Sequence, residues 1–258
     1  MLFRSRGEAA TLSFFSSGQF RNPAVVRVAG LGYQKGFGGH FHNDNAVAAL
    51  RDIPGLVVAV PARPDDAAAM LRTCLAAAEA DGSVCVFLEP IALYHERDAL
   101  EPGDGGWLAP YPAPPGDRAA GHVPLGRARV YPVPPGPPGL TIITFGNGLR
   151  LSLRVAARLG ATGAGCRVVD LRWIAPLPAA DIAREAAMTG RVLIADETRR
   201  SGGVSEAVVT ALADGGFGGR VARVTSEDSF IPLGDAAGTV LLSEQAIESA
   251  ARDLLRPG

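Results

Sequence analysis

The sequence has 258 residues, of which 47% are hydrophobic and 20% are charged, a balance typical of a folded globular chain rather than a disordered one. This length allows one large domain or two of ordinary size. The formal net charge is -1 and both signs are interspersed, so no long-range field would attract nucleic acid or an anionic membrane surface. We therefore expect neither nucleic acid nor a membrane among its partners.

The three cysteines, Cys74, Cys85 and Cys166, lie in apolar stretches and do not have the spacing of a metal site. Free, buried thiols are the usual outcome for such positions. No apolar run approaches the roughly 18 residues that a membrane-spanning helix needs. These features favour a reducing cytoplasm.

The first part of the chain shows short β-branched apolar runs that predict strands at residues 23–28, 56–60 and 84–88. Between the last two runs, residues 65–78 are rich in alanine and begin with two aspartates, which predicts a helix. Continuous apolar strands joined through a helix are typical of a parallel sheet covered on both faces.

A proline-rich stretch follows, because eleven of the twenty prolines fall within residues 101–139. Proline offers no backbone N–H to a sheet and disrupts a helix interior. We predict an extended connector over residues 101–138 and a domain boundary near Pro138.

The last part of the chain alternates regularly between strand and helix patterns. The predicted strands are residues 140–145, 167–171, 192–196 and 221–224, and the predicted helices are residues 147–159, 178–189, 204–213 and 243–255. Alternation of this kind predicts an open parallel sheet with helices on both faces, so the fold class is α/β.

The densest polar cluster is residues 40–45, which contains His40 and His42 and follows glycines at positions 36, 38 and 39. A glycine-rich loop allows close approach of a ligand, and histidine exchanges protons near neutral pH. One alternative is a capped helix start with Asn43 or Asp44 as the N-cap. A metal site formed by His40, His42 and Asp44 is a weaker alternative, because no second cluster of ligands follows.

Residues 196–203 join a predicted strand to a predicted helix, which is where open α/β sheets place ligands and where free amides can bind an anion. The alternative that we favour is a tight turn in which Ser201 caps the helix. Residues 146–148 lack the third glycine of a dinucleotide-binding fingerprint and are a weak signal.

Several short motifs, taken in order, resemble one known family. They are Ser17-Gly18-Gln19, residues 23–27, His42, Ile53-Pro54-Gly55-Leu56, Phe87-Leu88-Glu89-Pro90, Leu93-Tyr94, residues 168–172, Pro176-Leu177, Thr189-Gly190-Arg191, Gly202-Gly203 and Glu206. Their order and spacing, from about Ala10 to Leu255, resemble the beta subunit of thiamine-diphosphate-dependent 2-oxoacid dehydrogenases. This family oxidatively decarboxylates pyruvate or branched-chain 2-oxoacids and transfers the acyl group to a lipoyl group.

The resemblance implies three regions: the rear part of a pyrimidine-binding parallel-sheet domain at residues 7–100, a linker at 101–138, and a transketolase C-terminal-like domain at 139–258. It also implies that the chain is truncated at its N-terminus, since the cofactor-activating glutamate and the Gly-Asp-Gly motif lie further upstream in relatives. Residues 41–45 and 105–107 resemble the form in which alpha-like and beta-like halves are fused.

The resemblance places His42 at the family's active-site histidine, beside the substrate and the reactive carbon of the cofactor, whereas His40 has no counterpart. Relatives have Ser-Gln where Asn43 and Asp44 stand, so hydrogen bonds made by that pair in relatives do not carry over. Thiamine diphosphate with Mg²⁺ would be bound mainly by the missing half. A monovalent cation such as K⁺ would bind through the backbone carbonyls of Ala78, Asp81 and Ser83.

The implied partners are an alpha-like half or subunit, further copies of the chain in an oligomer, and a lipoyl acyltransferase core. The isolated chain is expected to be inactive. Two alternatives remain open at this point: another thiamine-diphosphate enzyme of the transketolase type, and a non-catalytic interaction module. The preferred 2-oxoacid does not follow from these residues.

Overall fold

The computed structural model describes residues 9–32, 44–111 and 121–256. The α-helices are α1 Leu12–Phe15, α2 Pro64–Asp81, α3 Asn147–Ala161, α4 Ala179–Ala187, α5 Val204–Asp214 and α6 Glu244–Leu255. The strands are β1 Ala24–Gly30, β2 Leu56–Ala59, β3 Val84–Pro90, β4 Arg129–Val133, β5 Pro138–Thr144, β6 Gly165–Asp170, β7 Trp173–Ala175, β8 Arg191–Arg199 and β9 Arg220–Ser226. Short 3-10 helices lie at Ala46–Asp52, Ile91–Leu93 and Gly234–Thr239.

The first sheet has the order β1-β3-β2-β7, and its first three strands are parallel. β3 lies between β1 and β2 and is buried along its whole length except at Glu89. Helix α2 packs on this sheet, where Met70 and Cys74 meet Cys85 and Phe87 in one apolar cluster. The three predicted strands and the predicted helix of this region are therefore confirmed.

The second sheet has the order β4-β6-β5-β8-β9, in which all strands but β4 run parallel. Successive residues of a strand face opposite sides, so Ile142 joins the core beneath α3 and α6, while Ile143 joins the core beneath α4 and α5. Both residues are fully buried. The prediction of an α/β sheet with helices on both faces is confirmed, and an antiparallel edge strand is added to it.

That edge strand corrects the prediction of a connector without regular structure. Residues 129–133 form β4, which pairs antiparallel with β6 and places Pro132 opposite Arg167. An edge strand tolerates proline because the missing N–H can face away from the only neighbouring strand. The proposed division of the chain near Pro138 stays a prediction.

Strand β7 was not predicted, and it joins the two sheets. The chain leaves β6, turns at Arg172 with a positive φ of 59°, and pairs antiparallel with β2, so that Val58 lies opposite Ala175. Trp173 is fully buried in the core of the first sheet. A three-residue strand is too short to show a periodic pattern, so only the packed structure reveals it.

Asp66, at the start of α2, forms a further contact between the two sheets, which is called the Asp66 junction below. Asp66 accepts hydrogen bonds from Arg129 at 3.0 Å and from Arg172 at 3.1 Å, and its side chain is only 7% exposed. Its neighbour Asp65 also binds Arg129, at 2.8 Å, but its side chain is 32% exposed. Two guanidinium groups, from β4 and from the turn before β7, thus converge on one buried carboxylate at the start of α2.

The structure bears on the cysteines and on the prediction that no helix spans a membrane. Cys74, Cys85 and Cys166 are free and buried, as predicted. Within residues 9–32, 44–111 and 121–256, no helix is long and apolar enough to cross a membrane.

We expect Asp66→Asn to lower the free energy of unfolding by about 2 kcal/mol, because two arginines lose the charge that binds them across the junction. Asp65→Asn is the matched control and should cost less than about 1 kcal/mol, since that carboxylate is partly solvated. Urea unfolding followed by circular dichroism measures both. Equal costs for the two variants would contradict the role of Asp66 at the junction.

Candidate functional site

Two consecutive acidic residues lie near the carboxyl end of β8, an interior strand of the second sheet, and both are fully buried. Because their side chains point to opposite faces of the sheet, each meets a different helix. Asp196 accepts the backbone N–H of Ser205 at 2.6 Å and so caps α5. Glu197 accepts the backbone N–H of Asn147 at 2.9 Å and so caps α3 on the other face.

Thr198 completes the cap of α5. Its backbone N–H and its hydroxyl donate to Asp196 at 2.8 Å and 2.6 Å, and its hydroxyl oxygen accepts the N–H of Val204 at 3.0 Å. The first amides of α5 are therefore occupied by side chains of the preceding strand. The anion-binding interpretation of residues 196–203 is not supported, and the tight turn that we favoured is present.

The cap itself differs from the prediction, which assigned it to Ser201. That residue instead donates its backbone N–H and its hydroxyl to the carboxylate of Asp228, at 2.8 Å and 2.6 Å. Ser201 thus holds the turn to the loop after β9. The caps of α3 and α5 come instead from Glu197 and Asp196, an acidic pair that follows an apolar run in the sequence.

Glu197 binds the start of α3 at close range. Its second oxygen accepts the side-chain amide of Asn147 at 2.7 Å. Gly146, with φ +54°, has no room for a side chain, since a Cβ there would lie 2.1 Å from the Glu197 carboxylate. Glycine at position 146 therefore allows the Glu197 side chain to lie close to the backbone, and this explains the glycine without a nucleotide-binding fingerprint.

Burial also alters the protonation of this region. Removal from water raises the pKa of Glu197 to about 8, against the opposing effect of its hydrogen bonds with Asn147. Burial likewise raises the pKa of Asp170, at the end of β6, to about 7, with repulsion from Asp66 as a further cause. Glu197 is therefore mostly neutral at pH 7.

A chain of hydrogen bonds runs from Glu197 to the first domain. Ser226, at the end of β9, donates its hydroxyl to the backbone carbonyl of Glu197 at 2.9 Å. The side-chain amide of Asn45 donates to the Ser226 hydroxyl at 3.3 Å, and its carbonyl oxygen accepts the N–H of Gly32 at 2.9 Å. Asn45 is only 2% exposed, so these bonds are shielded from water.

Asn45 therefore connects the two described parts of the chain on either side of residues 33–43. Gly32 and Asp44 flank residues 33–43, which include the two histidines of the polar cluster. Asp44 is bound to Arg199 of β8 at 2.6 Å, and Arg199 lies 5.8 Å from the ring of Phe230. Both ends of this segment thus lie over the carboxyl ends of β8 and β9, where open α/β sheets place ligands.

His40, His42 and Asn43 lie outside the described residues, so the histidine predictions stay predictions. The helix expected after them is a 3-10 helix, Ala46–Asp52, preceded by Asn45 without a side-chain cap. Asp44 is therefore not its N-cap, because its carboxylate binds Arg199 and the N–H of Asn45. Sequence reasoning missed Asn45, Ser226 and Glu197, which hold this region together.

The acidic side chains near the carboxyl ends of the strands are engaged in other contacts. Within residues 9–32, 44–111 and 121–256, no group of three or more His, Cys, Asp and Glu side chains could hold a metal ion. The two buried acids of β8 are already used as helix caps, and Asp44 is paired with a guanidinium.

Comparison with known proteins gives a consistent result. The family "Transketolase, C-terminal domain" matches residues 134–251. The beta subunit of the pyruvate dehydrogenase E1 component of Bacillus subtilis is 27% identical, over 96% of this chain and 70% of that subunit. The beta subunit of 2-oxoisovalerate dehydrogenase of Pseudomonas aeruginosa is 31% identical, over 87% of this chain and 62% of that subunit.

A 1-deoxy-D-xylulose-5-phosphate synthase of Anaeromyxobacter dehalogenans is 32% identical over 81% of this chain, which corresponds to 30% of that enzyme. Among solved structures, a split-gene transketolase described as an inactive beta4 tetramer has a TM-score of 0.63 and 24% identity, over 90% of this chain and 65% of that one. A 2-oxoglutarate:ferredoxin oxidoreductase of Magnetococcus marinus has a TM-score of 0.56 and 12% identity, over 91% of this chain and 49% of that one. These two structures support the fold.

Residues 134–251, which contain every strand of the second sheet except β4, match the transketolase C-terminal domain. Over most of its length the chain is similar to the beta subunits of pyruvate and branched-chain 2-oxoacid dehydrogenases.

We expect the free energy of unfolding to fall as the pH rises from about 5 to about 8. The pKa of Glu197 is raised above its ordinary value of 4.5, so in this range the folded state retains a proton that the unfolded chain releases. Glu197→Gln cannot titrate and should flatten that decline, because an amide keeps an acceptor for the Asn147 N–H. Urea unfolding at several pH values measures the slope.

The control for that experiment is Glu101→Gln, which changes an exposed glutamate and should leave the slope as it is in the wild type. Some decline should remain in Glu197→Gln, because Asp170 contributes in the same direction up to about pH 7. A wild-type profile that is flat above pH 5 would contradict the raised pKa values of Glu197 and Asp170.

Proposed function

We propose that this chain is the beta-type part of a 2-oxoacid dehydrogenase that oxidatively decarboxylates pyruvate or a branched-chain 2-oxoacid and transfers the acyl group to a lipoyl group. The observation that carries the proposal is similarity to such beta subunits over as much as 96% of the chain. The contacts of Asn45 support it, because they hold Gly32 and Asn45, on either side of residues 33–43, near the carboxyl end of β9.

His42 is the proposed active-site residue. The family resemblance places it beside the substrate, where an imidazole could donate a hydrogen bond to the 2-oxoacid and move protons during acyl transfer. The described residues contribute the support on which it depends: Asn45 joins the two ends of the segment, and Arg199 holds Asp44 against β8. Both contacts link the first domain to the second.

Thiamine diphosphate with Mg²⁺ supplies the decarboxylation chemistry when it is bound, and the proposal assigns most of its binding to an alpha-type half. The names of the relatives, "E1 component subunit beta" and "dehydrogenase subunit beta", describe parts of larger assemblies.

The proposed partners follow from that view. They are an alpha-type half or subunit, further copies of the chain, and a lipoyl acyltransferase core. The isolated chain is proposed to be inactive, and its three free, buried cysteines are in keeping with a reducing cytoplasm.

The test uses the chain co-expressed with an alpha-type half and supplied with thiamine diphosphate and Mg²⁺. We expect ferricyanide reduction with pyruvate or 2-oxoisovalerate, and we expect His42→Ala to lower kcat by about 100-fold or more, as loss of a positioned proton-transfer group does. His40→Ala is the matched control two residues away and should leave the rate close to that of the wild type. Equal losses in both variants would argue against the role of His42.

A second candidate is another thiamine-diphosphate enzyme, of the transketolase type, which the similarity to a deoxyxylulose-phosphate synthase favours. Ketol transfer from a sugar phosphate without turnover of 2-oxoacids would establish it in place of the dehydrogenase. A third candidate, from a different class, is a non-catalytic interaction module. Assembly with the alpha-type half without productive cofactor binding would favour that module.

A further inference from the structure

The carboxyl-terminal end of α2 is a place where negative charge accumulates. The last turn of this helix contains Glu79 and Asp81 and no basic residue. The unpaired carbonyls at the end of a helix add a partial negative charge of their own. A cation at this end of the helix would be stabilising, and the family resemblance predicted a monovalent ion bound by the carbonyls of residues 78, 81 and 83.

Two of those three carbonyls already have backbone partners. The carbonyl of Ala78 accepts the N–H of Gly82 at 3.0 Å, as the chain leaves the helix. The carbonyl of Ser83 accepts the N–H of Ala24 at 3.3 Å, beside the start of β1. One bond belongs to the end of the helix and the other to the start of β1.

The cation at this helix end is a side chain from another segment. The guanidinium of Arg21 donates to the carbonyl of Ala80 at 2.9 Å, between the expected ligands in sequence. The stem of Arg21 crosses Gly82, where an added Cβ would lie 2.9 to 3.1 Å from its carbon atoms. Glycine at position 82 thus allows the left-handed backbone conformation that ends α2, with φ +73°, and leaves space for the side chain of Arg21.

We infer that Arg21 is the resident cation at the end of α2 and takes the place of a bound monovalent ion. A second positive charge beside a guanidinium would be repelled, and two of its three expected carbonyl ligands already accept backbone hydrogen bonds. The expected ion site at Ala78, Asp81 and Ser83 does not fit the described structure. The first domain is therefore stabilised independently of K⁺.

The experiment compares thermal unfolding of the full chain in K⁺, Na⁺ and tetramethylammonium chloride at constant ionic strength. The wild type should show the same Tm in all three salts. Arg21→Met, which keeps the length of the stem but removes the charge, should lower Tm by about 2 °C, the size expected for loss of a cation at a helix end. Arg21→Lys, which keeps the charge, should recover most of that loss.

Arg220 offers a matched control, because it caps a different helix end by donating to the carbonyls of Asp253, Leu254 and Arg256 at 2.9 to 3.2 Å. Arg220→Met should lower Tm without making it depend on the salt. Recovery of Arg21→Met by K⁺ but not by tetramethylammonium would show that an ion can replace the guanidinium.

Two results would overturn the inference: a wild-type Tm that rises selectively and saturably with K⁺, or an Arg21→Met variant as stable as the wild type. Because unfolding requires neither substrate nor an alpha-type half, either result leaves the proposed dehydrogenase function untouched. Conversely, failure of the activity assays would leave the role of Arg21 standing.

Discussion

The carboxylates of Asp196 and Glu197 hold together the part of the molecule where strands end and helices begin. Since consecutive side chains of a strand face opposite sides, one short acidic sequence on β8 caps helices on both faces of the second sheet. The bonds are short and fully buried, so they act without competition from water. The helices flanking the site start where they do because these two acids meet their first amides.

The carboxyl end of β8 is also hydrogen-bonded to residues that follow the first strand of the chain. The backbone carbonyl of Glu197 is the beginning of a hydrogen-bonded chain that passes through Ser226 to Asn45 and ends at Gly32. A displacement of β8 would therefore be transmitted to both ends of the segment that includes His42. The short strand β7 and the Asp66 junction provide a second, independent link between the sheets.

Side chains from distant parts of the sequence cap several helix ends. Carboxyl oxygens of β8 accept hydrogen bonds from the first amides of α3 and α5, while Arg21 and Arg220 donate to the last carbonyls of α2 and α6. Each of these contacts completes orphan backbone groups that the helix cannot satisfy by itself. At the end of α2, where the family resemblance predicted a monovalent ion, the positive charge comes from the guanidinium of Arg21.

The sequence by itself determined the regular elements of both sheets, because apolar strands and amphipathic helices have periods that are visible along the chain. Ordered motifs also revealed the relationship to 2-oxoacid dehydrogenase beta subunits, which the comparisons confirm. Only the tertiary structure decided the strands at residues 129–133 and 173–175, the closure by Asn45 and the partner of Arg21. These features depend on contacts between residues far apart in sequence, and such contacts leave no periodic pattern in the chain.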